Sequence, residues 1–296
     1  IRAGGKKAAV GYDGRVSSPM LEEALVRGLN DSGVDVVRIG MGPTPMLYYA
    51  EAVLEGVDGG IEITGSHNPA NYNGFKMVLQ GRPFFGADIQ KLGTMAAAGD
   101  WVEGAGTSEH LDILDQYVAR VAEAAPTKAF RIGWDAGNGA AGPAIEKLVK
   151  MLPGEHHLLY VDVDGQFPNH HPDPTDPANL VDLQKLVAEK NLDFGVAFDG
   201  DGDRIGAIDG EGRVIWGDQL LQIYAEDVLG DVPGATIIAD VKASQALFDR
   251  VSELGGQPLM WNSGTSFMSP VPEMTTSCPG VRPFSTSISP TEAAPS

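Results

Sequence analysis

The chain has a single cysteine among 296 residues, Cys278, so no intramolecular disulfide can form. A reducing compartment, the cytoplasm, fits that scarcity. Basic residues are also few: 21 Lys and Arg stand against 40 Asp and Glu, a net charge of −19. Polyphosphate backbones need a basic surface, so non-specific nucleic-acid binding is excluded as a function class. A small anionic substrate stays compatible with this charge where basic side chains gather in a cleft. No apolar run approaches the roughly 18 residues of a transmembrane helix, so no membrane partner is expected. No stretch reads as a signal peptide, although the chain starts at Ile1 rather than Met. What remains is an ordinary globular balance, 43% hydrophobic and 21% charged, with length for two or three domains.

The dominant pattern is a strand followed by a helix, repeated. Ala8–Tyr12 is a short apolar run ending in the turn signal Gly11-Tyr12-Asp13-Gly14. Met20, Leu21, Ala24, Leu25 and Leu29 then recur at helical spacing. Further strands are expected at 34–39, 59–63 and 74–79, with helices at 45–54 and 87–98. The glycine-rich stretch 99–108 places a domain boundary just after it. A second cycle carries helices at 111–124, 143–151 and 180–190, and strands at 131–134, 158–161, 194–198 and from 205. A third opens with a strand at 214–216, a helix at 218–228, a strand at 236–239 and a helix at 244–254. The expected class is α/β, with successive α/β/α layers around largely parallel sheets. The division expected is 1–109, 110–213 and an incomplete 214–269. Residues 270–296, rich in Pro, Ser and Thr without apolar period, are expected to be a disordered or non-native tail.

Two stretches carry chemistry. Asp199-Gly200-Asp201-Gly202-Asp203-Arg204 follows the apolar run 194–198. In an extended segment the three carboxylates face one side and repel each other unless a cation sits among them. Oxygen-only donors suit Mg²⁺ or Ca²⁺ rather than zinc. The end of a strand is also where α/β sheets bind ligands. An EF-hand is ruled out, since its sixth and twelfth positions would be Arg204 and Gly210 rather than Gly and Glu. Arg204 either neutralises the aspartates or reaches a phosphate. The other stretch, Thr64-Gly65-Ser66-His67-Asn68-Pro69 continuing to Asn73-Gly74-Phe75-Lys76, exposes a serine among hydrogen-bond donors. A serine hydroxyl is a poor nucleophile without a neighbouring base or a transferable group already on it. Adjacent residues tend to point apart, so Ser66-His67 is not a hydrolase pair. Two weaker signals are the His170-His171 loop, whose prolines suggest a stiff structural segment, and the Gly137-Asn138-Gly139 turn, which could cradle a phosphate.

Taken with Gly11–Arg15, Ser17-Ser18-Pro19, Pro43-Thr44-Pro45, the stretch 167–174 and Asp240-Val241-Lys242, these loops resemble the α-D-phosphohexomutase family, in its bacterial phosphomannomutase/phosphoglucomutase branch. The resemblance covers residues 8 to about 268. It implies that Ser66 carries a phosphoryl group, that Asp199, Asp201, Asp203 and the phosphate on Ser66 hold Mg²⁺, and that Lys76 and His67 handle protons. It further implies that Arg15, Arg204 and Asn68 shape the phosphate site and that Lys242 contacts sugar or phosphate. The implied ligands are hexose phosphates and hexose 1,6-bisphosphate, with no obligate protein partner. Phosphoglucosamine mutase and a non-catalytic sugar-phosphate-binding module are the alternatives.

The chain departs from that family in three places. The family's upstream Tyr-Asp-Ile-Arg-Gly type strand is not represented. The family's Gly-His-Ser turn reads Gly264-Thr265-Ser266 here, and a lysine expected shortly after it is missing. Past Pro270 nothing matches, so the sugar-recognition loop and a fourth domain are not represented. Impaired sugar discrimination and an exposed apolar face on the third domain are the expected consequences.

Overall fold

The structure, a computed structural model, describes residues 1–261, which fall into two compact units divided after Gly212. The first unit opens with β1 (Lys7–Tyr12), α1 (Ser18–Asp31), β2 (Asp35–Met41), α2 (Thr44–Val53), β3 (Gly59–Ile63), β4 (Phe75–Leu79), β5 (Arg82–Pro83), α3 (Ala87–Ala97) and β6 (Ser108–His110). Their sheet has the order β5-β4-β3-β1-β2-β6. β1 lies parallel to β2 and β3, and β2 to β6, whereas β4 runs antiparallel to both β3 and β5. Successive strand residues face opposite sides, and the core follows that rule. Val10 and Val36 join Val26 of α1 on one face, helped by Leu21, Leu25 and Leu29 at four-residue spacing. Ala9, Val37 and Ile39 join Met46, Leu47 and Ala50 of α2 on the other. Both faces are therefore covered. Each fully buried aliphatic chain contributes about 1.5–3 kcal/mol relative to exposure.

The second half of this unit contains α4 (Leu114–Ala122), β7 (Phe130–Asp135), α5 (Gly142–Leu148), β8 (Gly154–Leu159), a 3₁₀ turn (Pro177–Leu180), α6 (Val181–Lys190), β9 (Phe194–Phe198) and β10 (Ile205–Asp209). Here the strand order is β10-β9-β7-β8, with β7 parallel to β8 and β9 and β10 antiparallel to β9. The acidic loop is thus the connection of a hairpin. The 158–161 strand expectation is corrected. The strand begins at Gly154 and ends at Leu159, and Tyr160 follows with φ +53°. Lying at a sheet edge, it carries Glu155, His156 and His157, which masks its apolar signal. β5 and β6 escaped notice because their residues are exposed and polar or too few to show alternation.

The second unit contains β11 (Val214–Ile215), α7 (Gly217–Asp231), β12 (Thr236–Asp240), α8 (Gln245–Glu253) and β13 (Gln257–Trp261). β12 and β13 pair in parallel, and Leu229, Ile237, Leu247, Phe248 and Val251 form the core beneath them. Ile223, Ile238 and Met260 are exposed, but the register of β12 and β13 puts Ile238 and Met260 on opposite faces, so these residues do not make up the single apolar face expected for this segment. The Gly264-Thr265-Ser266 turn and the 270–296 tail lie outside the described residues.

Candidate metal centre and serine loop

The serine loop joins β3 to β4 and closes on itself. Thr64 N–H donates to Gly74 O at 3.0 Å, Ser66 N–H to Thr64 Oγ1 at 2.7 Å, and Asn68 Nδ2 to Gly65 O at 2.9 Å. Ser66 sits at φ +49°, a left-handed conformation that costs a residue with a side chain about 1–3 kcal/mol and persists only where its surroundings impose it. Arg15 imposes it. Its five N–H groups are all engaged: Nε on Asp13 Oδ2, Nη1 on Pro69 O and Tyr72 O, and Nη2 on Ser66 O and Asn68 O, at 2.6–3.0 Å. The residue is 1% exposed, and its guanidinium lies 5.2 Å from the centre of the Phe167 ring. A side chain at Gly65 would place Cβ 2.5 Å from Arg15 Cζ, which explains the glycine. The expectation that Arg15 binds phosphate is therefore corrected: no donor is left for one, and the residue clamps the loop instead.

The acidic loop presents its carboxylates inward. Asp199 Oδ1 accepts the backbone N–H groups of Asp203 and Arg204 at 3.0 Å, and Oδ2 accepts the Ser66 hydroxyl at 2.9 Å. Asp201 Oδ2 accepts Thr44 Oγ1–H at 2.5 Å and Lys76 Nζ at 2.6 Å, and Asp203 Oδ2 accepts the same ammonium at 2.5 Å. Each aspartate offers one oxygen within 4.8 Å of the others'. Asp201 Oδ1 and Asp203 Oδ1 are buried with no hydrogen-bond partner among the described residues. Idle anionic oxygens in a buried site are what a hard cation with oxygen ligands would satisfy, so the residues fit Mg²⁺. Burial, then Asp201 and Asp203, push the Asp199 carboxyl well above its ordinary pKa. Burial and Asp201 raise Asp203 as well. Burial would raise Asp201 too, but the Lys76 ammonium outweighs it and holds that carboxyl low. The serine and acidic loops meet backbone to backbone: a Cβ on Gly200 would lie 2.5 Å from Ser66 O.

The remaining expected residues divide. His67 Nδ1 lies 3.5 Å from Ser66 Oγ and its Nε2 3.3 Å from Arg204 Nη1, so His67, Lys76 and Arg204 join the cluster. Burial, then the Arg204 charge, lower the His67 pKa. Arg204 Nε is buried without a partner among the described residues. Asn68 uses its amide donor within its own loop. Lys242 is exposed in the turn after β12, in the second unit. The Gly137-Asn138-Gly139 turn is no phosphate cradle. Its N–H groups donate to Asp135 Oδ1, Tyr160 O and Ala136 O. His170 Nε2 lies 2.9 Å from Asp135 Oδ2, which makes the His-His loop a structural brace.

Thr44 was missed as a site residue. Thr44 opens α2, is fully buried, and binds Asp201 twice, through Oγ1 and through its N–H to Asp201 O at 2.8 Å. The Pro43-Thr44-Pro45 motif marked the position but not its partner. Thr44→Val keeps the shape and removes the hydroxyl donor to a charged oxygen, worth about 2 kcal/mol. Thermal denaturation should show that loss, and calorimetry should show Mg²⁺ binding weakened about 10-fold, as for an outer-shell ligand partner. Unchanged values in both would remove Thr44 from the site.

Residues 1–103 match the family model for phosphoglucomutase/phosphomannomutase alpha/beta/alpha domain I, and residues 109–212 that for domain II. The phosphomannomutase/phosphoglucomutase of Pseudomonas aeruginosa is 46% identical over 261 residues, which is 88% of this chain and 56% of that protein. The crystal structure of a phosphoglucomutase/phosphomannomutase family protein from Burkholderia thailandensis superposes with a TM-score of 0.86 at 46% identity, covering 90% of this chain and 60% of that one. More remotely, N-acetylphosphoglucosamine mutase of Aspergillus fumigatus, solved in complex with GlcNAc-6P and magnesium, shares the fold at a TM-score of 0.51 and 17% identity, covering 88% of this chain and 48% of that one. The chain thus spans less than two thirds of the length of each of these relatives. Matched in sequence through both alpha/beta/alpha domains, and closely in fold, it belongs to the phosphoglucomutase/phosphomannomutase family.

Proposed function

We propose that this chain carries the phosphoserine and metal halves of a phosphohexomutase acting on glucose and mannose phosphates. The observation that carries the reading is the Ser66 hydroxyl 2.9 Å from Asp199, beside two further aspartates with idle oxygens. Asp199, Asp201 and Asp203 would hold Mg²⁺, which when bound neutralises charge on a transferring phosphoryl group. Ser66 Oγ carries that group. The bond from Oγ to phosphorus breaks as a hexose hydroxyl forms its own bond to the phosphorus, giving a hexose 1,6-bisphosphate. The other phosphate then returns to Ser66 in the reverse sense. His67, held neutral by burial and by Arg204, takes the hydroxyl proton. Lys76, charged beside Asp201 and Asp203, donates hydrogen bonds to phosphate oxygens. Arg204, whose Nε has no partner among the described residues, supplies a further donor. The division at 1–109, 110–213 and 214–269 belongs to this reading.

Intact-mass spectrometry after incubation with Mg²⁺ and glucose 1,6-bisphosphate should find one phosphoryl group, mapped to Ser66 and missing from Ser66→Ala. Absence of phosphate at residue 66 under every such condition sinks the proposal. Binding of hexose phosphate without turnover in a coupled assay would leave a binding module instead.

A further inference from the structure

Lys76 occupies two of the three carboxylates that would hold a divalent cation. Lys76 holds their Oδ2 atoms and leaves Oδ1 of each idle, so a dication on the Oδ1 atoms would stand beside the ammonium, where like-charge repulsion is strong in a site screened from water. That repulsion favours moving the lysine to another acceptor, and one has to exist, since an unpaired charge in a mostly enclosed site is costly. That acceptor has to lie within the sweep of a side chain rooted on β4.

Glu62 meets the condition. It stands opposite Lys76 in the antiparallel β3–β4 pair. Directly opposed residues share a face, with Cβ atoms about 5 Å apart. Glu62 is 1% exposed, and its Oε1 is buried with no hydrogen-bond partner among the described residues. A carboxyl so placed is destabilising in the metal-free protein. The neighbouring strand makes room for it: at Gly11, the register partner of Glu62 on β1, a Cβ would lie 2.5 Å from Glu62 Oε2. No step of the phosphoryl transfer described above employs Glu62.

We propose that Glu62 is the second seat of Lys76: the ammonium bridges Asp201 and Asp203 while they are free of metal, and moves onto the Glu62 carboxyl when a divalent cation takes the aspartates. The inference rests on the metal reading of the three aspartates. Glu62 is a positioning residue here, acting through Lys76. It lets the metal enter without stranding the lysine, and it fixes where the ammonium stands when phosphate arrives.

The test is a double-mutant cycle read by calorimetric Mg²⁺ titration of chelator-stripped protein, with circular dichroism melts confirming each fold. Glu62→Met should weaken Mg²⁺ binding about 10-fold, and Glu62→Gln, whose amide oxygen still accepts, about 3-fold. On a Lys76→Met background, where no ammonium needs a seat, the same changes should shift affinity by less than about 2-fold. Should Glu62→Met fail to fold, the near-isosteric Gln variants complete the cycle. Equal losses in both backgrounds would mean that Glu62 acts through its own field or through packing, and would overturn the proposal, as would no loss in either. If the unmutated protein binds no Mg²⁺ at all, the metal reading falls and this inference with it. Binding that Asp201→Asn abolishes and Glu62 variants leave intact would sink this inference alone.

Discussion

Asp199→Asn should raise the melting temperature of the metal-free protein while abolishing its response to Mg²⁺. The two effects come from one carboxylate. In the metal-free site, burial and the neighbouring Asp201 and Asp203 disfavour the ionised form of Asp199, so its pKa lies well above 3.8. A carboxyl that holds its proton more tightly folded than unfolded favours the fold at low pH. That contribution is lost as pH climbs from the unfolded value towards the folded one, and near neutrality the full penalty remains. Asparagine removes the penalty and keeps the hydrogen bonds. Its Oδ1 accepts the N–H groups of Asp203 and Arg204, and its Nδ2 donates to Ser66 Oγ, reversing the present bond. Replacing a buried charge by a satisfied neutral group should yield about 1 kcal/mol or more, about 2–4 °C for a unit of this size. The cost falls on metal binding. Outer-shell changes already weaken metal sites by about 10–100-fold, so losing a direct ligand should cost at least about 100-fold, and phosphoryl loading of Ser66 with it. Scanning calorimetry with chelator and with Mg²⁺ reads both. A lower midpoint in chelator, or a retained Mg²⁺ shift, would mean that Asp199 supports the fold rather than a cation.

The acidic loop was legible because it is written locally: three carboxylates at alternate positions, separated by glycines, admit few explanations besides a cation. The serine loop was legible for a similar reason, as a polar run between two apolar ones. Thr44 was not, because its partner lies 157 residues away and only the fold brings them together. Arg15 was legible as important but not in its role. A sequence shows a cation near a serine loop and cannot show that five carbonyl and carboxylate oxygens from residues 13 and 66–72 already surround it. Glu62 was hidden by a rule that is usually sound. Ile61-Glu62-Ile63 alternates as a strand with one wet face, but helices cover both faces of this sheet and the carboxyl is enclosed. The α/β order of elements came through because each core strand and helix buries an apolar face of its own period. The edge strands β5, β6 and β8, which bury little, did not.

Arg15→Met should both destabilise the first unit and release the serine loop. The side chain closes a buried pair with Asp13, 1% exposed on the carboxylate side, and four carbonyl bonds across the serine loop. Methionine fills much of the volume and provides none of the donors. Breaking a buried pair from one side costs about 3–5 kcal/mol, mainly because Asp13 is left charged without its partner. Asp13 would still accept the Arg15 and Gly65 N–H groups and the Ser18 hydroxyl, which places the loss towards the lower end of that range. Adding Asp13→Asn removes the stranded charge and should recover part of the stability. It should not recover the loop, because nothing else draws the carbonyls of Ser66, Asn68, Pro69 and Tyr72 to one point. Ser66 would then relax from φ +49°, the hydroxyl would drift from Asp199, and phosphoryl loading would fall even in the restabilised double variant. Arg15→Lys sharpens the contrast: it keeps the charge for Asp13, but three donors on one nitrogen cannot span acceptors that five donors on a planar fork now hold. Its melting point should sit near that of the unmutated protein, while amide exchange across residues 65–72 accelerates and Ser66 phosphorylation drops. If Arg15→Lys loads phosphate normally with those amides still protected, the guanidinium fork is not what shapes the loop.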